Sequence, residues 1–108
     1  MSELLVVITS FPAGDEANRI ADALVADRLA ACVSLLPGAT STYRWKGAVT
    51  REGEVLAIIK TTRARFDDLR TRLEALHPYD VPEVVALAAT DVASAYLAWV
   101  VAETDLGG

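Results

Sequence analysis

Val55-Leu56-Ala57-Ile58-Ile59 is apolar at every position. In an extended strand, successive side chains leave opposite faces of the sheet. One layer of helices can bury Val55, Ala57 and Ile59, but Leu56 and Ile58 then face the other way. Any fold for this chain has to cover both sides of that strand. A chain of 108 residues forms one domain, taken here as residues 1–108. At that size it buries about two-thirds of its unfolded surface, which supports one core. Apolar residues make up 53% of the chain, too many for a disordered segment.

The rest of the chain supplies elements around this strand. Leu4 to Ser10 is a continuous apolar, β-branched run and reads as a buried strand. Pro12 and Gly14 end it, and Asp15 and Glu16 sit where a helix N-terminus favours negative charge. Ala17, Ile20, Ala21, Leu24 and Val25 follow at helical spacing. Ala31 to Leu36 reads as a second strand, interrupted at Pro37-Gly38. It resumes with Ala39, Ser41, Tyr43 and Trp45 on one face and Thr40, Thr42, Arg44 and Lys46 on the other. Lys46-Gly47 begins a turn, and Glu54 to Thr61 is a third strand, so the pair forms a long hairpin. Thr61 or Thr62 can cap a helix with the apolar stripe Phe66, Leu69, Leu73 and Leu76 and a surface pair Asp68–Arg72. Pro78 stops it. Glu83 to Thr90 reads as a fourth strand. Asp91 is placed to cap a last helix with Ala93, Tyr96, Leu97, Val100 and Val101 on its stripe and Trp99 off it.

The order β-α-β-β-α-β plus a C-terminal α is the ferredoxin-like split βαβ arrangement, an α+β fold with an antiparallel sheet and helices on one face. The second face of the apolar strand is then left for another subunit, so the pattern implies a homo-oligomer. The strand pattern does not set its symmetry.

Composition narrows the function. A net charge of -5 argues against nucleic acid and is compatible with metal cations or with cationic or neutral small ligands. Cys32 is the lone cysteine, so no disulfide forms within the chain, which fits a reducing cytoplasm. No stretch reaches the roughly 20 apolar residues of a membrane span, and a cytoplasmic location is expected.

The densest chemistry lies in His77-Pro78-Tyr79-Asp80-Val81-Pro82-Glu83, which joins a helix to a strand and holds the chain's one histidine. His77 has two readings. It can complement the dipole at the helix C-terminus, or it can bind a metal with groups from a second subunit. Tyr43, Trp45 and Tyr79 can line an intersubunit pocket with Lys60 and Glu83, or they can be ordinary packing. Lys60 can meet an anion near the following helix, or stand in solvent. Glu52 and Glu54, two apart near the hairpin turn, read as a solvated edge. Cys32, between Ala31 and Val33, reads as a small buried side chain. No nucleophile with a base in reach is evident, nor a phosphate-binding glycine loop or a zinc spacing, so the chain reads as non-enzymatic.

Several segments together resemble the CutA-type divalent-cation tolerance family. They are Leu29 to Val33, Pro37 to Gly47, Ile59 to Thr62, His77-Pro78-Tyr79 with Pro82-Glu83, and Tyr96 to Trp99. The resemblance implies a compact homotrimer about a threefold axis, with strands of adjacent subunits paired edge to edge. It also implies a link to tolerance of copper and other divalent cations, with no metal needed for folding. In some relatives a cysteine at the end of the first strand and a histidine directly before the His-Pro-Tyr motif are implicated in copper binding. Those positions are Thr9 and Leu76 here, and His77 alone matches. Soft Cu(I) favours sulfur ligands, and Cys32 is the sole thiol. Two other readings stand beside a metal-binding trimer: a small-molecule sensor resembling the PII-type signal-transduction trimers, and a trimeric scaffold for a protein partner.

Overall fold

The computed structural model describes residues 3–106; residues 1–2 and 107–108 of the expected domain lie outside the described residues. The elements are β1 (Leu4–Pro12), α1 (Glu16–Ala26), β2 (Cys32–Trp45), β3 (Ala48–Thr62), α2 (Arg63–Leu76), β4 (Val85–Ala88) and α3 (Ser94–Thr104). The strands form one sheet in the order β2-β3-β1-β4, with every pair antiparallel. This is the split βαβ order expected from the sequence. β3 is paired along both edges, to β1 over Glu54–Thr62 and to β2 over most of its length.

The two-period pattern sorts side chains to two faces. Leu5, Val7 and Phe11 of β1 join Val55, Ala57 and Ile59 of β3 under Ile20 and Leu24 of α1 and Leu69 and Leu73 of α2. This is the principal core. The opposite face carries Leu4 and Val6, and there α3 lays down Val100 and Leu97 with Ala31 beneath them. The helices therefore do not all occupy one face, as the sequence reading had them. α3 shields one end of the second face because its own apolar stripe finds Leu4 and Val6 exposed there. The remainder of that face is apolar: Ile8, Leu56 and Ile58 are half-buried, while Leu36, Val85 and Leu87 are 46%, 47% and 52% exposed.

A bulge sets the phase of the hairpin. Leu36 pairs with Leu56, but the next register partners are Ala39 and Glu54, so β2 carries one extra residue around Pro37 and Gly38. Proline has no N–H for the ladder, and Gly38 takes the left-handed φ of +87° that a side chain resists. Before the bulge, even-numbered residues of β2 share the face of Leu56; after it, Ser41, Tyr43 and Trp45 share the face of Glu52 and Glu54. The hairpin closes at Lys46-Gly47, both at positive φ (+50° and +80°), the geometry of a two-residue turn that follows the strand twist.

Beyond Glu54, β2 and β3 have only each other, and this arm stretches the molecule to 46 × 26 × 22 Å. The radius of gyration, 14.5 Å, exceeds the value of about 13 Å usual for this length.

Several local expectations change in the fold. β3 begins at Ala48 rather than Glu54, and β4 is confined to Val85–Ala88, so Glu83 lies in the preceding loop. Thr62 precedes α2 without a capping bond from its side chain. Thr61 is the neighbour that matters: its buried hydroxyl donates to the Leu29 carbonyl at 2.7 Å, tying β3 to the loop after α1. α3 starts after Ala93, past Asp91. At its other end, Arg28 Nη1 donates to the Ala102 and Glu103 carbonyls in the last turn, the first of which also accepts the Asp105 N–H at 3.4 Å. Asp68 pairs with Arg65, while Arg72 reaches Asp27 at the end of α1, so tertiary contact displaces the expected Asp68–Arg72 pair.

Replacing Thr61 with valine keeps the shape but strands the Leu29 carbonyl. Chemical denaturation at fixed protein concentration should show a loss of about 1–3 kcal/mol, and an unchanged midpoint would mean that carbonyl finds another partner.

Candidate functional site

α2 ends where the chain meets Pro78. His77 leaves the helix with extended backbone (φ -73°, ψ 136°), and its N–H still bonds to the Leu73 carbonyl. Its ring turns back under the sheet and is 8% exposed. Nε2 lies 2.7 Å from the Ser10 carbonyl oxygen, and Nδ1 accepts the Tyr79 backbone N–H at 3.1 Å. A nitrogen that accepts carries no proton, so this pattern assigns the proton to Nε2, which donates to Ser10. The ring stacks on Phe11, with centroids 4.9 Å apart and planes 18° apart. His77 thus braces the loop against the end of β1, and both its nitrogens are committed within the chain.

The brace positions Tyr79. Its ring centroid lies 4.8 Å from that of His77, and its hydroxyl donates to Glu54 Oε2 at 2.6 Å. Glu54 is the residue that sequence reasoning missed. Read as part of a solvated edge, it is only 6% exposed. The signal was the shared face of Glu52 and Glu54 with the Ser41-Tyr43-Trp45 stripe. The cover comes from Tyr79, 25 residues away.

Together these groups line an open cavity of about 490 Å³. Tyr43, Trp45 and Tyr79 give it aromatic walls, Glu52, Glu54, Asp80 and Glu83 give it negative charge, and no lysine or arginine lines it. Among the described residues the ion pairs are Arg63–Glu3, Arg65–Asp68, Arg70–Glu74 and Arg72–Asp27, none of which touches these carboxylates. The charge shows in the tyrosines. Burial first, then the hydrogen bond to Glu54, then the charges of Glu54 and Glu52 push the Tyr79 phenol far above its ordinary range. Tyr43 is raised too, by desolvation first and then by the neighbouring Glu52 carboxylate.

The structure therefore brings together four of the expected pocket residues, Tyr43, Trp45, Tyr79 and Glu83. Lys60 is not among them within one chain; it sits further along β3, opposite Cys32 and Val6. Cys32 is half-buried rather than buried, with its sulfur 3.9 Å from Ser34 Oγ. It is cross-strand from Lys60, four residues past Leu56, or about 13 Å along the strand. Thr9 is fully buried on the helix face, its hydroxyl without a hydrogen-bond partner among the described residues. Thiol and imidazole therefore do not converge in one chain. Among the described residues, no three His, Cys, Asp or Glu side chains group as a metal cage.

The fold is that of a split-βαβ α+β protein, and comparison with known proteins gives the family. Residues 5–103 match the model of the CutA1 divalent ion tolerance protein. The divalent-cation tolerance protein CutA of Thermus thermophilus is 49% identical over 94 residues, covering 87% of this chain and 91% of that protein. Its Pectobacterium atrosepticum counterpart is 39% identical over 99 residues, covering 92% and 90%. Among solved structures, the Cut A1 protein of Thermus thermophilus superposes with a TM-score of 0.90 at 47% identity, covering 97% of this chain and 100% of that one. CutA1 from Oryza sativa gives 0.93 at 37% identity, covering 97% and 96%. The chain belongs to the CutA1 divalent ion tolerance family.

The Tyr79–Glu54 bond predicts an alkaline signature. The folded state holds the phenol proton more tightly than the unfolded chain does. The contribution is complete below about pH 10, the ordinary tyrosine value, and disappears as pH rises through the higher folded pKa. With Tyr43 and Tyr96 replaced by phenylalanine, ultraviolet titration reads Tyr79 alone. Glu54→Gln should move its ionisation to lower pH; an unmoved midpoint would show that the carboxylate does not hold the phenol.

Proposed function

We propose that this protein is a homotrimeric, non-catalytic, cytoplasmic divalent-cation tolerance protein, and that the acidic cavity beside Glu54 is where it takes up a cation, copper or another divalent ion. The observation that carries the reading is Glu54 itself: a carboxylate 6% exposed, with no cation beside it among the described residues. A buried charge is costly until it is paired. Oxygen donors from Glu54 and its neighbours suit a divalent ion, and a second subunit adds what one chain's cavity lacks. Metal binding on this reading is weak, and tolerance comes from binding or signalling.

Assembly follows from two features of one chain. The sheet face bearing Leu36, Val85 and Leu87 is open, and an arm of two strands alone is marginal in water. Packing three sheets together would cover the first and support the second. The cytoplasmic reading rests on the lone cysteine, and no helix among the described residues is long and apolar enough to cross a membrane. A relative from Arabidopsis thaliana, of which the chain spans about half, is named chloroplastic. A second reading, a small-molecule sensor, is favoured by the cavity's volume of about 490 Å³, which falls in the range of organic-ligand sites.

Sedimentation at micromolar concentration should find a trimer, and Leu87→Glu should shift it to smaller species; a folded monomeric wild type would overturn the assembly. Calorimetry with Cu(II) and Zn(II) tests the cation site. Glu54→Gln should weaken binding at least about tenfold. His77→Gln can still donate to Ser10 and should bind like wild type if His77 only braces the loop. A loss equal to that of Glu54→Gln would make His77 a ligand.

A further inference from the structure

The walls of the cavity are aromatic, and a bare metal ion has no use for them. A divalent ion needs several oxygens within about 2.0–2.6 Å. One oxygen of Glu54 is already taken by the Tyr79 hydroxyl at 2.6 Å, and no three ligating side chains converge among the described residues, so a divalent ion here would draw oxygens from a second subunit as well. The other oxygen, Oε1, makes no hydrogen bond within the chain among the described residues and is not among its buried unpartnered atoms, so it is open to the cavity that Glu54 lines. It is an acceptor that an N–H donor entering the cavity can reach. Around it stand Trp45, Tyr43 and Tyr79, whose ring faces attract cations, tryptophan most strongly. Trp45 lines the cavity and is 43% exposed in the single chain.

We propose that this cavity binds a primary alkylammonium ion, with an N–H donated to Glu54 Oε1 and the charge and adjoining methylene groups set against Trp45 and Tyr43. This deepens the cation-site reading above and rests on it. The volume of about 490 Å³ leaves room for an organic chain behind the ammonium group. The absence of lysine or arginine from the lining leaves the carboxylates free for a cation supplied by the ligand.

The probe is butylammonium chloride, titrated into the assembled protein and followed by saturation-transfer NMR on its methylene protons, with butan-1-ol as the neutral control of the same chain. Binding should saturate for the ammonium and be absent for the alcohol. Glu54→Gln and Trp45→Ala should each weaken it at least about tenfold, while Glu74→Gln, on the outer surface of α2, should leave it unchanged. Circular dichroism checks folding of each variant; should Glu54→Gln fail to fold, the exposed Trp45→Ala still decides. No saturable butylammonium signal, equal binding of the alcohol, or indifference to both cavity substitutions would overturn the proposal. A parallel Zn(II) titration separates two failures. Glu54-dependent zinc binding without ammonium binding sinks the organic ligand alone, and absence of both sinks the cation site as well.

Discussion

β3 is the constraint on which the other elements depend. It is hydrogen-bonded along both edges and apolar on both faces, so each neighbour is set by it. Its odd residues, Val55, Ala57 and Ile59, call for α1 and α2. Its even residues, Leu56 and Ile58, lie on a face where α3 covers only the end near Leu4 and Val6. A slip of one residue in this strand would exchange the two sets, sending Glu54 toward the helices and Val55 toward the cavity. The register that builds the core therefore also puts a carboxylate on the opposite face, where Tyr79 can reach it.

That face becomes a site through a chain of local contacts. Pro78 ends α2, and the chain leaves it in extended form. His77 then fixes the departing loop twice, to the Ser10 carbonyl and to the Tyr79 N–H, with Phe11 stacked on its ring. With the loop held there, the Tyr79 hydroxyl meets Glu54 in a short charge-assisted bond. The histidine's contribution is geometric. A lone imidazole in a loop of acids invites reading as a ligand, yet the ring's two nitrogens are already spoken for.

What could be read from the sequence follows physical range. The strand and helix order, the apolar faces and the Lys46-Gly47 turn depend on neighbours a few residues apart, and they are legible. The interruption at Pro37-Gly38 could be placed, and the phase beyond it read from Ser41, Tyr43 and Trp45, but the extra residue that makes it a bulge shows only in the pairing with β3. What could not be read depends on distant partners. Asp27 claims Arg72 because α1 and α2 are adjacent in space. Thr61 turns from the helix it precedes to the Leu29 carbonyl, 32 residues back. Glu54 is buried because a tyrosine from another loop covers it. α3 went to the second face because Leu4 and Val6 offered apolar surface there, which no periodicity within α3 records.

The arm and the cavity are one device. The bulge around Pro37-Gly38 adds a single residue, and that residue decides which side of the arm carries Ser41, Tyr43 and Trp45. Had β2 kept its earlier phase, Thr42 and Arg44 would face Glu52 and Glu54, and an arginine would neutralise the carboxylates from within the chain. With the bulge, aromatic rings stand beside the acids, and Arg44 is sent to the other face. The negative charge is left for something from outside to pair, and a two-strand arm that cannot stand well alone is held where a second subunit would meet it. On the proposed reading, ligand and assembly would draw on the same extra residue, so the cavity's chemistry and the proposed self-association should respond together to changes at Pro37 and Gly38.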